Sequence, residues 1–272
     1  IFSPLGINLL LLPAWIRSRT PWAILHIDVV SVYMRMTSRW KRAFFRLALR
    51  RAGALICLGD FQKDFLVHLG IPAARIEVVP LGGDPKFYHT DHPTEEFIFA
   101  VGRDAGRDFG TLVEAARGLA CKVVIATSRK IIAALPPLPP NLTVKENTPL
   151  VVTRDLLARA IAVVIPSKTS GGSDCSGQTV LLDAWATGKA VVVSERAWVK
   201  TYVKSGRDAV VVPPNDVAAL RGALQYLLDH PAERRELARH GHDRILHEFS
   251  SAKMGDRLGS VLSKLITRTY AH

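Results

Sequence analysis

Residues 159–195 read RAIAVVIPSKTSGGSDCSGQTVLLDAWATGKAVVVSE. Two short apolar runs, Ala160–Ile165 and Ala190–Val193, lack the alternation of a half-exposed strand and predict strands of a parallel sheet buried on both faces. A loop of small polar residues separates the first run from an amphipathic helix over Gln178–Thr187. Gly188 ends that helix, at a position where a left-handed backbone is common. The order strand, loop, helix, strand predicts an α/β fold with a parallel sheet.

The start of this helix predicts an anion site. A helix N-terminus presents free backbone N–H groups and the positive end of a dipole, and both attract negative charge. Gly177 lets a ligand approach the backbone, Thr179 offers a hydroxyl, and Asp183 follows further along the helix. On the residues alone, an ordinary βαβ unit with a solvated loop remains an alternative.

A second strand, turn and helix repeats this arrangement nearer the N-terminus. The strand Phe97–Val101 runs into Gly102 and Arg103, and Arg107 precedes a helix over Asp108–Leu119. Two arginines beside such a turn can form charge-assisted bonds to a diphosphate. The alternative is a loop with two solvated surface arginines.

The stretch SGQTVLLDAWATGKAVVVSE, residues 176–195, resembles the donor-side domain of the family 4 and group 1 glycosyltransferases, which have the GT-B fold. That family usually carries a Glu, seven residues and a second Glu in a stretch such as EGFGLVVLEAMACGKPVV. Asp183 stands at the second Glu and Cys175 at the first. The family also has a Gly-Arg pair and then a Lys, where this chain has Arg103 and Arg107.

The resemblance extends over most of the chain and implies its domain organisation. The PLGGDP stretch resembles the PNGVD linker between the family's two halves, and Gly82, Gly83 and Asp84 would border the cleft. We therefore expect two Rossmann-like, doubly wound α/β domains, the N-terminal one incomplete. Residues 1–84 would be a partial acceptor-side domain, 85–250 a nucleotide-sugar-binding domain, and 251–272 a helix crossing back. Because the first residue is not Met, we interpret the chain as starting inside a protein.

The resemblance implies transfer of a sugar from a nucleotide-diphosphate sugar to an unidentified acceptor, lipid-linked or a polysaccharide. It also implies retention of anomeric configuration, with no metal ion and no cofactor. Arg103 and Arg107 would neutralise the leaving diphosphate, and Asp183 would accept hydrogen bonds from the ribose. His26, near Asp28 at a strand end, would be a catalytic candidate of the acceptor half.

Cys175 breaks the family's acidic pair. A thiol is a weak acceptor of hydrogen bonds from sugar hydroxyls, so we expect the neighbouring Asp174 to contact the sugar instead. A non-catalytic nucleotide-sugar binding protein is therefore an alternative to the enzyme. The full expected donor-binding set is Gly102, Arg103, Arg107, Asp174, Cys175, Gly177, Gln178, Thr179 and Asp183.

The net charge of +12 is compatible with nucleic acid, an anionic membrane or a phosphorylated substrate. We expect no nucleic acid partner, because no binding motif is present and aromatic residues are not interleaved with a basic groove. A basic nucleic-acid-binding protein, indicated by the charge, is the second alternative to the enzyme. The predicted helix 38–51 has one basic and one apolar stripe and can contact an anionic membrane; alternatively its apolar stripe packs on the sheet. The basic stripe is Arg35, Arg39, Arg42, Arg46 and Arg50, and the apolar stripe is Trp40, Phe44 and Leu47.

The length of the apolar runs and the cysteine content indicate the compartment of the protein. No apolar run approaches the ~20 residues that a membrane span requires. The three cysteines, Cys57, Cys121 and Cys175, are far apart in the chain, which favours a reducing compartment. We therefore expect a cytoplasmic protein, peripheral on the inner face of the membrane if the basic helix binds lipid.

Overall fold

A computed structural model describes residues 22–88 and 94–270, with side chains up to Arg268. The chain divides into two compact units. The smaller unit contains residues 1–81 and 252–272, and the larger unit contains residues 82–251.

The smaller unit is built on a parallel sheet with the strand order β1-β2-β3. All four residues of β2 are buried, as expected for a central parallel strand. The described strands of this unit are β1 (Ala23–Leu25), β2 (Ala54–Cys57) and β3 (Ile76–Val78), and its described helices are α1 (Val29–Arg35), α2 (Arg39–Arg51) and α3 (Asp60–His68), with a 3-10 turn at Ala73–Arg75.

Helix α2 has two apolar faces, and the structure buries only one of them. Phe45, Ala48 and Leu49 are buried in the core of the smaller unit. Trp40 is 86% exposed, Phe44 38% and Leu47 51%. The alternative in which the Trp40, Phe44 and Leu47 stripe packs on the sheet is therefore wrong.

The arginines of α2 bind backbone carbonyls beside the apolar face. Arg46 donates through Nε to the carbonyl of Leu69 at 3.2 Å, and Arg50 donates through Nη2 to the carbonyl of Gly70 at 3.2 Å. These carbonyls follow the C-terminus of α3, where positive charge is favourable. Arg46 and Arg50 thus stabilise a helix end of their own unit and stay exposed. The predicted stripe of five arginines is wrong at Arg35, which lies at the end of α1 and pairs with Asp28.

The larger unit contains a parallel sheet of six strands in the order β6-β5-β4-β7-β8-β9. The order reverses between β4 and β7, and ligands of doubly wound folds bind at the carboxyl ends of the strands at such a switch point. The strands are β4 (Phe97–Val101), β5 (Lys122–Thr127), β6 (Leu142–Glu146), β7 (Ala162–Ile165), β8 (Ala190–Ser194) and β9 (Val210–Val212).

The helices of the larger unit bury apolar side chains against this sheet. Asp108 and Asp216 cap two of them, accepting hydrogen bonds from the backbone N–H groups of Thr111 and Ala219. The helices are α4 (Phe109–Ala116), α5 (Arg129–Ile132), α6 (Leu150–Arg159), α7 (Gln178–Ala186), α8 (Val199–Tyr202), α9 (Val217–Asp229) and α10 (Pro231–His247).

The central βαβ unit agrees with its sequence pattern within two residues at each boundary. Helix α7 begins at Gln178 as predicted and ends at Ala186, one residue early. Gly188 has a φ of 62°, the left-handed conformation expected after the helix. Two Rossmann-like parallel sheets confirm the predicted α/β fold class.

The last helix, α11 (Ser251–Tyr270), packs on the smaller unit. Among its described side chains, those of Val261 and Leu265 are buried. A Cβ at Gly53 would lie 2.7 Å from Leu265, so the glycine allows close packing there. None of the helices in the described parts of the chain is long and apolar enough to cross a membrane.

Candidate active site

The structure brings the two predicted anion-binding loops together at the switch point of the larger sheet. The backbones of Arg107 and Ser167 form an antiparallel bridge. Lys168 donates its N–H to the carbonyl of Gly106 at 2.9 Å, and Asp108 donates to the carbonyl of Pro166 at 3.1 Å. One loop follows β4 and the other follows β7, so both lie at the carboxyl edge of the sheet.

Gly177 lies at the N-terminus of α7 with a φ of 111°, a conformation that favours glycine. A Cβ at this position would lie 2.9 Å from Trp198 and 3.2 Å from Nη1 of Arg107. Absence of a side chain therefore lets the arginine of the other loop reach the start of the helix.

Arg107 is buried, with only 5% of its surface exposed. Its Nε and Nη1 have no hydrogen-bond partner among the described residues. Burial lowers the pKa of Arg107 to about 10, which Asp104 partly opposes and Arg196 reinforces. The guanidinium is still charged at neutral pH. For Arg107, the alternative of a solvated surface arginine is wrong.

Two further arginines lie at the same edge of the sheet. Arg103 is exposed and donates through Nη2 to the carbonyl of Thr148 at 3.1 Å. Arg196 donates through Nη1 to the carbonyl of Lys168 at 2.6 Å. Sequence reasoning missed Arg196, although its place two residues after β8 is a signal that could have found it.

Several other buried polar atoms near the start of α7 lack a partner in the described part of the chain. An unpartnered buried polar group costs about 1–3 kcal/mol, so such groups are usually paired. Donors at a helix N-terminus suit an anion. The atoms are Oγ of Ser167, Oγ of Ser176, both amide atoms of Gln178 and Nε1 of Trp198.

Asp183 lies on α7 and shares a hydrogen bond with the side chain of Tyr88. Burial raises the pKa of Asp183 to about 7, and the Tyr88 hydrogen bond opposes this shift. Burial and Asp183 together also raise the pKa of Tyr88. The sequence contained no signal for Tyr88, because it reaches α7 only through the folding of the 84–88 segment.

The other predicted donor-binding residues lie next to these groups. Cys175 is buried and its N–H donates to Oγ of Ser173 at 3.1 Å. Asp174 is half-buried and Thr179 is exposed. Gly102 packs against Arg107, since a Cβ there would collide with the guanidinium.

The linker glycines lie against the chain at residues 249–251. Gly83 donates its N–H to the carbonyl of Phe249 at 2.8 Å, and a Cβ at Gly82 would lie 2.6 Å from the carbonyl oxygen of Ser250. Asp84 is exposed and accepts a hydrogen bond from the N–H of Lys86. Close packing against backbone thus explains Gly82, whereas a Cβ at Gly83 would lie 3.0 Å from the side chains of Ile245 and Leu182.

His26 belongs to the smaller unit, where it follows β1. Its Nδ1 accepts a hydrogen bond from the N–H of Asp28 at 3.2 Å, and its ring lies edge-on to Phe45. Burial lowers the pKa of His26 and so favours the neutral imidazole, and Asp28 partly offsets this shift. Its Nε2 is buried without a partner among the described residues.

Two family models match the chain. The model described as glycosyl transferases group 1 matches residues 100–230, and the model described as glycosyltransferase family 4 matches residues 9–87. The comparison with curated proteins gives no match.

Many solved structures are similar to this chain, and the following three have low sequence identity to it. Sucrose-phosphate synthase from Thermosynechococcus elongatus has a TM-score of 0.78 and 19% identity, covering 97% of this chain and 71% of that one. Anabaena HepE in complex with UDP-glucose has a TM-score of 0.78 and 16% identity, covering 96% and 75%. WaaG, a glycosyltransferase involved in lipopolysaccharide biosynthesis, has a TM-score of 0.67 and 15% identity, covering 90% and 76%. With its two parallel sheets and both family models matched, the chain belongs to the group 1 and family 4 glycosyltransferases of the GT-B fold.

Proposed function

We propose that this glycosyltransferase moves a hexosyl group from a nucleotide-diphosphate sugar to an acceptor, with retention of anomeric configuration. The observation that carries the proposal is the buried guanidinium of Arg107, whose Nε and Nη1 are unpartnered among the described residues at the N-terminus of α7. A buried cation with free donors at a helix N-terminus favours a phosphate group. The Anabaena HepE structures contain UDP and UDP-glucose, which supports a nucleotide-sugar donor.

In this proposal the bond between the anomeric carbon and the diphosphate oxygen breaks, a bond to the acceptor hydroxyl oxygen forms, and the hydroxyl proton passes to the leaving diphosphate. Negative charge develops on the leaving diphosphate, and we propose that Arg103 and Arg107 stabilise it. In the same proposal Asp183 accepts hydrogen bonds from the ribose, and Asp174, next to Cys175, contacts the sugar. Because the arginines supply the positive charge, we propose that transfer needs no metal ion and continues in a chelator.

Arg103→Ala and Arg107→Ala are each expected to weaken nucleoside diphosphate binding by about 1.5–3 kcal/mol, the range for a hydrogen bond to a charged group. Calorimetric titration with UDP, GDP and ADP measures this. Arg117→Ala is the matched control, since Arg117 pairs with Glu114 on the surface of the same unit. Unchanged affinity in both site variants would remove the site assignment.

The alternative is a protein that binds the nucleotide sugar without transferring the sugar. Cys175 favours it, because the related enzymes usually have a carboxylate at this position. Release of nucleoside diphosphate from the donor in the presence of acceptor lipids or glycans distinguishes the two. Binding without release over such an acceptor panel would support the alternative.

We also propose that α2 contacts an anionic membrane, which would place the protein on the cytoplasmic face and give access to a lipid-linked acceptor. Trp40, Phe44 and Leu47 are exposed on one face of the helix. Arg39 and Lys41 are exposed close to them. An apolar face with a Trp and flanking basic residues is typical of helices that lie in a membrane interface.

Trp40→Ser is expected to weaken binding to vesicles containing an anionic lipid about tenfold, because the variant loses the burial of a large apolar side chain. Sedimentation with vesicles of phosphatidylglycerol and phosphatidylcholine measures it. Leu150→Ser is the control, because Leu150 is also exposed, at 60%, but lies in the larger unit. Equal sedimentation of Trp40→Ser and the parent, or no binding by the parent, would contradict membrane contact.

A further inference from the structure

A carboxylate lies among the arginines of the candidate site, and its contacts join the two loops. Asp104 accepts a hydrogen bond through Oδ1 from the N–H of Gly106 at 2.8 Å. It accepts another through Oδ2 from the N–H of Ser173 at 3.1 Å. The first bond is within the loop after β4, and the second crosses to the loop after β7. We call Asp104 with these two bonds the clasp.

A carboxylate at the position of Asp104 is unfavourable for binding an anion, so its presence in the site requires an explanation. A carboxylate close to a diphosphate opposes it, because like charges repel at short distance. Asp104 stabilises the charged form of the buried Arg107. Its second oxygen, however, is used by Ser173 and not by an arginine. A role in holding the loop of Ser173 accounts for that bond.

Two glycines show how closely the clasp holds the loops. A Cβ at Gly172 would collide with Oδ1 of Asp104 and would lie 2.5 Å from the backbone nitrogen of Gly106. A Cβ at Gly171 would meet no atom within 4 Å. Both residues have positive φ, 69° and 85° respectively. The two positions therefore share the backbone conformation and differ in their contact with the clasp.

The clasped loop leads directly into the start of α7. Ser173 accepts a hydrogen bond through Oγ from the N–H of Cys175, and Cys175 accepts one through its carbonyl from the N–H of Gln178. A group attached to a phosphate at the helix N-terminus would therefore meet residues 173–175. Fixing Ser173 fixes the side of the site that faces such a group.

We propose that Asp104 is a positioning residue for the donor sugar, which holds residues 173–175 against the loop that carries Arg103 and Arg107. This inference rests on the proposed function for the identity of the ligand. It assigns the carboxylate to selecting the sugar-bearing donor over the bare nucleoside diphosphate. Asp104 acts through the backbone of Ser173.

Hydrogen exchange of the ligand-free protein tests the clasp itself. In Asp104→Ala the N–H of Ser173 loses its acceptor, so the peptide covering residues 168–176 should exchange faster. Gly172→Ala should have the same effect, because its Cβ pushes the two loops apart. Gly171→Ala has comparable backbone strain without the collision and should leave this peptide closer to the parent. Unchanged exchange in Asp104→Ala and Gly172→Ala would overturn the clasp.

Calorimetry with paired ligands tests the role in sugar selection. The pairs are UDP with UDP-glucose, GDP with GDP-mannose and ADP with ADP-glucose, and the pair that the parent binds best is used. Asp104→Ala is expected to bind the nucleoside diphosphate at least as tightly as the parent, because a like charge is removed. Its affinity for the nucleotide sugar should fall about tenfold or more, the value of a lost hydrogen bond to a charged group.

These opposite responses are not expected from general loosening of the fold, which would weaken both ligands. Asp108→Asn is the charge control, because it removes a carboxylate from the same loop and leaves the clasp intact. A parallel loss of both ligands in Asp104→Ala would overturn the role in sugar selection. If the parent binds none of the pairs, the proposed function and this role both fail, while hydrogen exchange still decides whether the clasp exists.

Discussion

Asp208→Ala is expected to lower the free energy of unfolding of the larger unit by about 3–5 kcal/mol, the cost of leaving one member of a buried ion pair without its partner. Asp208 is fully buried and its Oδ2 lies 2.8 Å from Nη1 of Arg244. Its Oδ1 accepts a hydrogen bond from the N–H of Lys204 at 2.8 Å. Urea unfolding followed by tryptophan fluorescence measures the loss.

This ion pair supports the helix that carries the candidate site. Trp185 of α7 donates through Nε1 to the carbonyl of Asp208 at 3.1 Å. Arg244 lies 5.9 Å from the centre of the Trp185 ring and 4.9 Å from that of Phe249. We therefore expect Asp208→Ala to weaken nucleotide binding as well, through displacement of α7.

Arg239→Ala is the control for this prediction. Arg239 lies on α10, the helix that also carries Arg244. It pairs with Glu236 and Asp243, but its side chain is 55% exposed. Exposed ion pairs contribute about 0–1 kcal/mol, so the control should stay close to the parent. Equal losses in Asp208→Ala and Arg239→Ala would contradict a special contribution from burial.

Asp183 is expected to make the stability of the larger unit fall as the pH rises from about 4 to about 7. Its pKa is raised from 3.8 to about 7 in the folded protein by burial, against the opposing hydrogen bond from Tyr88. Between these values the folded state binds more protons than the unfolded state, so stability decreases with pH. At 1.36 kcal/mol for each pKa unit, the total decrease is at most about 4 kcal/mol.

Asp183→Asn removes this titration and should be more stable than the parent at pH 8, with little difference at pH 4. Urea unfolding at several pH values from 4 to 8 measures the two curves. Tyr88→Phe removes a hydrogen bond that favours the charged carboxylate, so the decrease in this variant should be larger than in the parent and should extend to higher pH. Asp229→Asn, at the exposed end of α9, is the control. Parallel curves for Asp183→Asn and the parent would show that Asp183 titrates normally.

The same titration bears on the proposed ribose contact. A ribose hydroxyl donates to the charged carboxylate better than to the protonated one, because hydrogen bonds to ionised groups are stronger. Nucleotide binding would then weaken as the pH falls below about 7, the pKa of Asp183. Tyr88 already forms a hydrogen bond with this carboxylate, so a ribose bound there would share the carboxylate with Tyr88 or displace it.

The sequence predicted the strands and helices around the site because their patterns are local. The run of apolar residues in β7 and β8 marks strands buried on both faces, and Gly188 marks the end of α7. The sequence left the buried face of helix α2 ambiguous, because a local pattern does not show which of two apolar faces contacts the core. The helix carries two apolar faces, Trp40 with Phe44 and Leu47, and Phe45 with Leu49. Only contacts with the rest of the smaller unit decided which face is buried.

The sequence by itself determined the α/β architecture, the two Gly-containing loops and the arginines that follow β4, because strand and helix periodicity and turn chemistry act over a few residues. Tertiary structure alone decided that Arg107 is buried while Arg103 is exposed. It also decided that Asp104 accepts a hydrogen bond from Ser173, 69 residues away in the chain, and that Tyr88 reaches Asp183. Such pairs depend on where the sheet brings its loops together, and no local pattern records a contact between side chains so far apart along the chain.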